Sequence, residues 1–167
     1  MPGTMVRMDA HAVVTQFAPA LARIVASYER DRALRDELLQ EVLMAIVSSL
    51  PRLAHADRLK PFVFRIAHNR CVSHVTRRMR ERAKQEPWDD LAAAVAGHEQ
   101  ALIEQERSHR LVEAIRRLAL PYRQVMTLIL EEMSYDEIAE TLGITVANVG
   151  IRVNRAKQQL KVLLNHE

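Results

Sequence analysis

Asn148, Ile151, Arg152, Asn154, Arg155 and Lys157 fall on one side of a helical stretch whose other side is Val149, Val153, Ala156, Leu160 and Leu163. Carboxamides, an aliphatic tip and a row of cations suit one chemistry, the reading of duplex DNA. A carboxamide pairs with a base edge, an apolar tip meets a thymine methyl, and cations further along hold phosphates. The residues just before this stretch have the spacing of a helix-turn-helix. A small Ala139 lets two helices cross closely, Gly143 takes the left-handed turn, and Val149 plugs the second helix into the core. Thr145 is placed to cap that second helix. Thr145, Asn148, Ile151, Arg152, Arg155 and Lys157 are therefore the expected duplex contacts. The bland alternative is a helical hairpin with solvated charges; spacing, glycine and basic helix together weigh against it.

A second candidate lies in the first half. From Arg65 to Lys84 there are seven basic residues against one acid, Glu81, whereas residues 131–141 carry five acids and no base. With a formal net charge of only +3, this segregation says more than the total. It suits one nucleic-acid face beside faces for protein. Arg65, Asn69, Ser73, Thr76 and Arg80 line one side of a helical pattern, with Arg77 and Lys84 at its edge. Such a ridge beside the basic loop 52–60 suits a DNA backbone or a separated strand. A third stripe, Glu37, Gln40, Glu41 and Met44, runs at i, i+3, i+4 and i+7 opposite a leucine face. By itself it reads as solvated surface.

Other chemistries are weaker. His68, Cys71 and His74 share a helix side at i, i+3 and i+6, as zinc ligands would, but no fourth ligand is near, and a half-buried Cys more often only packs. No nucleophile–base constellation and no Gly-rich phosphate loop is visible, so no enzyme, cofactor or small-molecule substrate is expected. A single cysteine excludes a disulfide framework. No apolar run is long enough to cross a bilayer and the N-terminal stretch lacks a signal-peptide core, which together place the protein in the cytoplasm.

The elements that must position these groups are helices. Only 4 Gly and 6 Pro occur, aromatic content is 4%, and no long stretch alternates apolar with polar residues. Helical spacing is expected over Phe17–Tyr28 and Asp36–Leu50, the latter ended by Pro51. Leu39, Leu43, Ile46 and Leu50 share one face, widened by Leu38 and Val42. Pro61 suits the first turn of a helix running to about Arg82, with Phe62, Val63, Ile66, Ala67, Val72, Val75 and Met79 as its apolar set. Residues 83–98, with Pro87 and Gly97, break the pattern. A second group begins near Glu99, where Leu102, Ile103, Leu111, Ile115 and Leu118 recur. Pro121 opens a helix through Glu132, Ser134 with Glu137 forms a capping box, and the last helix spans about Val146–Leu164. The expected fold is all-α: two small helical domains joined by a flexible linker, the second a helix-turn-helix. The boundaries are a disordered tail 1–11, a first domain 12–84, a linker 85–98 and a second domain 99–167.

Taken in order, these segments resemble bacterial sigma factors. DELLQEV (36–42) looks like their core-polymerase-binding signature. LPRLAHADRLKPFVFRIAHNRCVSHVTRRMRER (50–82) resembles their region 2, which binds the promoter −10 element. RRLALPYRQVMTLILEEMSYDEIAETLGITVANVGIRVNRAKQQL (116–160) is similar to their −35-binding region 4. The order, the short connection and the short chain match the extracytoplasmic-function (ECF) group, which keeps only these two regions; so little follows Leu164 that no fused C-terminal sensor is expected. The resemblance implies that Asp36, Glu37, Leu38, Gln40, Glu41 and Met44 dock on core RNA polymerase, turning the bland stripe into an interface. It implies that Lys60, Arg65, His68, Asn69, Ser73, Arg77 and Arg80 hold the melted −10 strand, and that the helix-turn-helix set reads the −35 duplex. Core polymerase and promoter DNA follow as partners, with an anti-sigma factor as a controller that no segment here identifies. Departures are Phe62 where the family usually has Trp, Ser73 where Asp is common, Thr76 at a commonly basic position, and Gly150–Ile151 for a frequent Lys-Ser pair.

A stand-alone helix-turn-helix regulator would account for residues 121–163 but leave DELLQE and FRIAHN without a purpose. An anti-sigma-like protein without DNA contacts conflicts with the two basic faces.

Overall fold

The structure, a computed structural model, describes residues 8–84 and 102–166. It contains seven α-helices and no strand among those residues. The expected linker 85–98 lies outside them.

Helix α1 spans Ala10–Tyr28 and starts earlier than the periodicity from Phe17 suggested. Asp9 caps it by accepting from the His11 backbone N–H at 3.0 Å, so residues 10 and 11 are helical where a tail was expected. Pro19 sits inside it. A proline there removes one backbone bond, yet burial of Val13 and Phe17 on one side and of Leu21, Ile24 and Val25 on the other holds the helix together through it. Helix α2, Arg32–Ser49, also starts before its expected Asp36, because Asp31 accepts from the Leu34 N–H at 3.0 Å. Leu50–Arg52 tightens into a 3-10 turn at Pro51, and Ala56–Arg58 makes another. Helix α3 then runs Leu59–Lys84. Pro61 lies in its first turn, where no backbone donor is needed.

The buried face of α2 differs from the leucine face expected. Leu38, Val42, Ala45, Ile46 and Leu50 are buried, while Leu39 and Leu43 are only half-buried. The apolar stripe is wide, so spacing alone did not tell its centre from its border. In α3 the buried set is Val63, Phe64, Ala67, His68, Cys71, His74 and Val75, bringing in two histidines and Phe64. Phe64 meets Phe17 edge-on, with ring centroids 5.9 Å apart.

The second group is α4 (Leu102–Arg116), α5 (Leu120–Leu130), α6 (Tyr135–Leu142) and α7 (Val146–Asn165). Helix α5 stops two residues before the expected Glu132. Glu132 instead adopts a left-handed φ of 60°, which turns the chain toward α6 at some strain for a residue with a Cβ. The capping box forms in full: Ser134 Oγ accepts from the Glu137 N–H, and the Glu137 carboxylate accepts from the Ser134 N–H at 2.8 Å. Gly143 closes α6 at φ 67°. Thr145 Oγ1 accepts from the Asn148 N–H at 3.1 Å and opens α7.

The two groups are in contact. Buried residues of both belong to one apolar cluster, α1 packs on α4 and α5, and α3 packs on α6. No helix among the described residues is long and apolar enough to cross a membrane.

Candidate polymerase and DNA interfaces

On α2, Asp36, Glu37, Gln40, Glu41 and Met44 are exposed, Met44 at 73%. Val47, 41% exposed, extends the stripe one turn further. Carboxylates and a carboxamide around a flexible thioether make a surface able to pair with cations and to pack. Leu38 corrects the expectation: it is 1% exposed and belongs to the core, because it lies on the opposite side of the helix from the exposed Asp36 and Gln40.

Helix α7 presents Asn148, Ile151, Arg155 and Lys157 outward, with Arg152 half-buried; Ile151 is 48% exposed. Val149, Val153, Ala156 and Leu160 anchor the other side. Thr145 is exposed and held by its capping bond. Gly150 faces the Tyr135 ring, and a Cβ there would lie 3.7 Å from Cε2, an ordinary contact. The glycine is thus not demanded by packing.

The α3 face is different. Arg65, Asn69, Ser73, Arg77 and Arg80 are exposed and Lys60 is half-exposed, but the N-terminal cations meet α6. Arg65 donates from Nε to the Thr141 carbonyl at 3.3 Å and from its terminal nitrogen to the Glu140 carbonyl. Arg58 pairs with the Glu140 carboxylate, and Lys60 Nζ lies 3.8 Å from Glu137. Beside these contacts a cleft of about 240 Å³ is lined by Arg52, His55, Arg58, Phe62, Arg65 and Glu140, among others. Three guanidinium groups and an aromatic ring around such a space can take one unstacked base with its phosphate.

His68 is the clearest departure from the expected strand-binding set. It is 2% exposed. Its Nδ1 is 2.9 Å from the Tyr28 hydroxyl and its Nε2 is 3.4 Å from Thr127 Oγ1, which itself donates to the Gln124 carbonyl at 2.9 Å. A neutral ring with the proton on Nε2 satisfies all three partners. Burial lowers its pKa to about 3 and raises that of Tyr28. His68 is thus a core residue where the two groups meet. Spacing alone does not place it, because on α3 His68 lies one turn from exposed Arg65 and equally one turn from buried Phe64 and Cys71.

His74 and Cys71 are likewise accounted for. His74 Nε2 lies 2.6 Å from the Glu29 carboxylate, which also accepts from the Asp31 N–H at 2.9 Å and has Arg78 at 3.4 Å. Burial opposes the Glu29 charge, but these partners outweigh it and hold the carboxyl below its usual range. Burial pushes the Cys71 thiol up to about 12. The ring nitrogens considered for zinc face other partners, and no group of three metal-binding side chains occurs among the described residues.

Sequence reasoning missed a set of polar contacts between the two groups. Arg23 grips Glu131 with two bonds of 2.8 Å, Arg30 pairs with Glu113 at 2.6 Å, and Arg116 Nε donates to the Ala26 carbonyl at 2.7 Å. The Arg123 guanidinium lies over the Tyr28 ring at 5.6 Å. No periodicity encodes pairs separated by tens of residues.

Two family models match the chain: Sigma-70 region 2 over residues 13–81 and Sigma-70, region 4 over residues 108–160. The ECF RNA polymerase sigma factor SigM of Bacillus subtilis is 28% identical over 146 residues, covering 86% of this chain and 87% of the relative. The RNA polymerase sigma factor HrpL of Pseudomonas syringae is 30% identical over 138 residues, covering 75% and 71%. Among solved structures, the sigma factor RpoE of Bartonella quintana, determined in complex with the anti-sigma factor NepR, superposes with a TM-score of 0.75 at 23% identity, over 93% of this chain and 96% of that one. The two helical groups, the exposed stripe on α2 and the helix-turn-helix thus meet in one assignment: the chain belongs to the sigma-70 family of RNA polymerase sigma factors, in the two-region form of the ECF group.

Proposed function

We infer that the chain docks on core RNA polymerase through α2, orients it on duplex −35 DNA with α7, and holds the melted −10 strand on α3. What carries the reading is the pairing, in one small chain, of an outward acidic and amide stripe at Glu37, Gln40, Glu41 and Met44 with an outward basic helix at Asn148, Ile151, Arg152, Arg155 and Lys157. A stand-alone regulator has use for the second and none for the first. On α3, Lys60, Arg65, Asn69, Ser73, Arg77 and Arg80 are the strand contacts, with the cleft at Phe62 as the seat of one flipped base. His68 supports them from the core.

The working units are residues 12–84 and 99–167. Neither supplies a catalytic group: the protein selects the start site, and nucleotide chemistry stays with the polymerase. It acts in the cytoplasm, where polymerase and chromosome meet. An anti-sigma factor is the expected controller, as NepR partners RpoE.

The test is a titration of core RNA polymerase. The wild-type chain binds, and Gln40→Ala with Glu41→Ala lowers affinity about tenfold while the circular dichroism spectrum stays unchanged, since both side chains are exposed. Failure of the wild-type chain to bind core polymerase sinks the reading.

A further inference from the structure

Helix α7 carries four cations, Arg152, Arg155, Lys157 and Lys161, and no acid. None of the four enters an ion pair among the described residues. Their arrangement around the helix is uneven. At about 100° per residue, Val149, Val153, Ala156 and Leu160 gather on the buried side. Ala147, Ile151, Asn154 and Gln158, all exposed, fall in a band about 60° wide nearly opposite. Arg152 and Arg155 lie on one flank of that band with Asn148, and Lys157 and Lys161 lie on the other.

A helix seated in the major groove turns its outward ridge to the base edges and its flanks to the phosphates on either side. Here the flanks are cationic and the ridge is neutral. Such a ridge lacks the guanidinium or ammonium that makes the common bidentate contact with guanine. What it offers near the N-terminal end, the end that reaches bases, is aliphatic. Ile151 is 48% exposed, and Ala147 lies one turn before it. Neither packs against the apolar core. An apolar step of this kind fits the 5-methyl group of thymine, and the Asn154 carboxamide fits N6 and N7 of adenine.

We propose that the duplex element selected by α7 is of the A·T class: Ile151, with Ala147 beside it, takes thymine methyl groups, and Asn154 takes an adenine. The inference rests on the assignment of α7 as the −35 reader and adds the chemistry of the bases it chooses. Asn154 thereby becomes a specificity-determining residue beside Ile151. The flanking cations fix the helix on the phosphates and contribute affinity without choosing bases. Guanine finds no cation on the ridge.

The probe is a duplex of the promoter most enriched when the tagged chain is cross-linked to chromosomal DNA, bound by core polymerase carrying the full chain. Each −35 thymine is replaced in turn by deoxyuridine, which removes only the 5-methyl group. Adenines and guanines are replaced by their 7-deaza forms, which removes the N7 acceptor. Binding should weaken about threefold at one or more thymines and about tenfold at one adenine. The thymine effect should vanish with Ile151→Ala and the adenine effect with Asn154→Ala. Both side chains are exposed, so the circular dichroism spectra should match the wild type. Absence of an effect at every thymine, or at every adenine, overturns the proposal. So does a tenfold loss with 7-deaza-guanine, or an effect of equal size in the wild-type chain and the matching variant. If replacing the whole −35 segment leaves binding unchanged, the assignment of α7 as the reader falls, and this inference falls with it.

Discussion

The α3 and α7 faces are built from similar residues and differ in what lies on them. Each is a helix with an apolar side in the core and a row of arginines and amides on the other. On α7 that row meets solvent. On α3 its N-terminal part meets α6, with Arg65 on the Glu140 and Thr141 carbonyls and Arg58 on the Glu140 carboxylate. Basic composition therefore marks a nucleic-acid face without saying whether it is open. The difference arises from segregation of charge: among the acids of residues 131–141, Glu131, Glu137 and Glu140 sit at the seam, so the duplex-reading unit carries both an open basic helix and the acidic cover of its neighbour.

The largest effect that separates the two faces is expected from Arg152→Ala with Arg155→Ala. Duplex affinity for the protein's own promoter should fall about thirtyfold, and the slope of affinity against salt should shallow by about one unit per arginine that contacts phosphate. Binding of a single strand should not change, because neither side chain touches α3. A parallel loss of strand binding in the double variant would erase the distinction between the faces.

Much of this arrangement could be read from residue types, and the limits have physical causes. The capping box at Ser134, the turn at Gly143 and the stop at Pro51 are local, because each satisfies backbone groups within a few residues. The starts of α1 and α2 lie earlier than apolar spacing alone indicates, because a single Asp cap, Asp9 in one and Asp31 in the other, begins each helix ahead of its first buried turn. The exposed set on α7 was legible because β-branched and small residues alternate cleanly with polar ones at helical spacing. His68 was not, since an imidazole suits a strand-binding face and a core equally well, and Tyr28 and Thr127, which decide the matter, lie 40 and 59 residues away. Leu38 was assigned to a docking stripe by its place in DELLQEV, while the neighbouring helices bury it. The α6 cover was invisible for the same reason: charge runs show the two signs but not their meeting.

His68 offers a smaller effect, located at the meeting of the two groups. Its folded pKa, about 3, lies below the ordinary histidine value of 6.5. The folded chain thus keeps it neutral where the unfolded chain takes up a proton. Stability is full above about pH 6.5 and declines as pH falls toward 3, by about 2 kcal/mol at pH 5. Glu29, held below its usual range, acts in the same direction, but only as pH falls below the ordinary carboxylate value. Urea unfolding at pH 7, 6 and 5 should show this decline, and His68→Gln should remove most of it whatever its cost at pH 7. Equal slopes in both chains would take His68 out of the core account.

The smallest effects compare the two glycines of the helix-turn-helix, and they have opposite signs. Gly143 has φ 67° and nothing within 4 Å of an added Cβ, so Gly143→Ala is resisted by backbone conformation alone and should cost about 1–2 kcal/mol. Gly150 lies inside α7 with an ordinary helical backbone, and its added Cβ would rest 3.7 Å from the Tyr135 ring. Gly150→Ala should therefore stabilise the chain by about 0.5–1 kcal/mol, through the lower entropy of the unfolded state and a contact the fold already accommodates. Chemical denaturation of the two variants measures both. If Gly150→Ala also leaves duplex affinity unchanged, the departure at this position is a matter of helix stability; if affinity falls while stability rises, the DNA backbone needs the space that the missing side chain leaves on the open face.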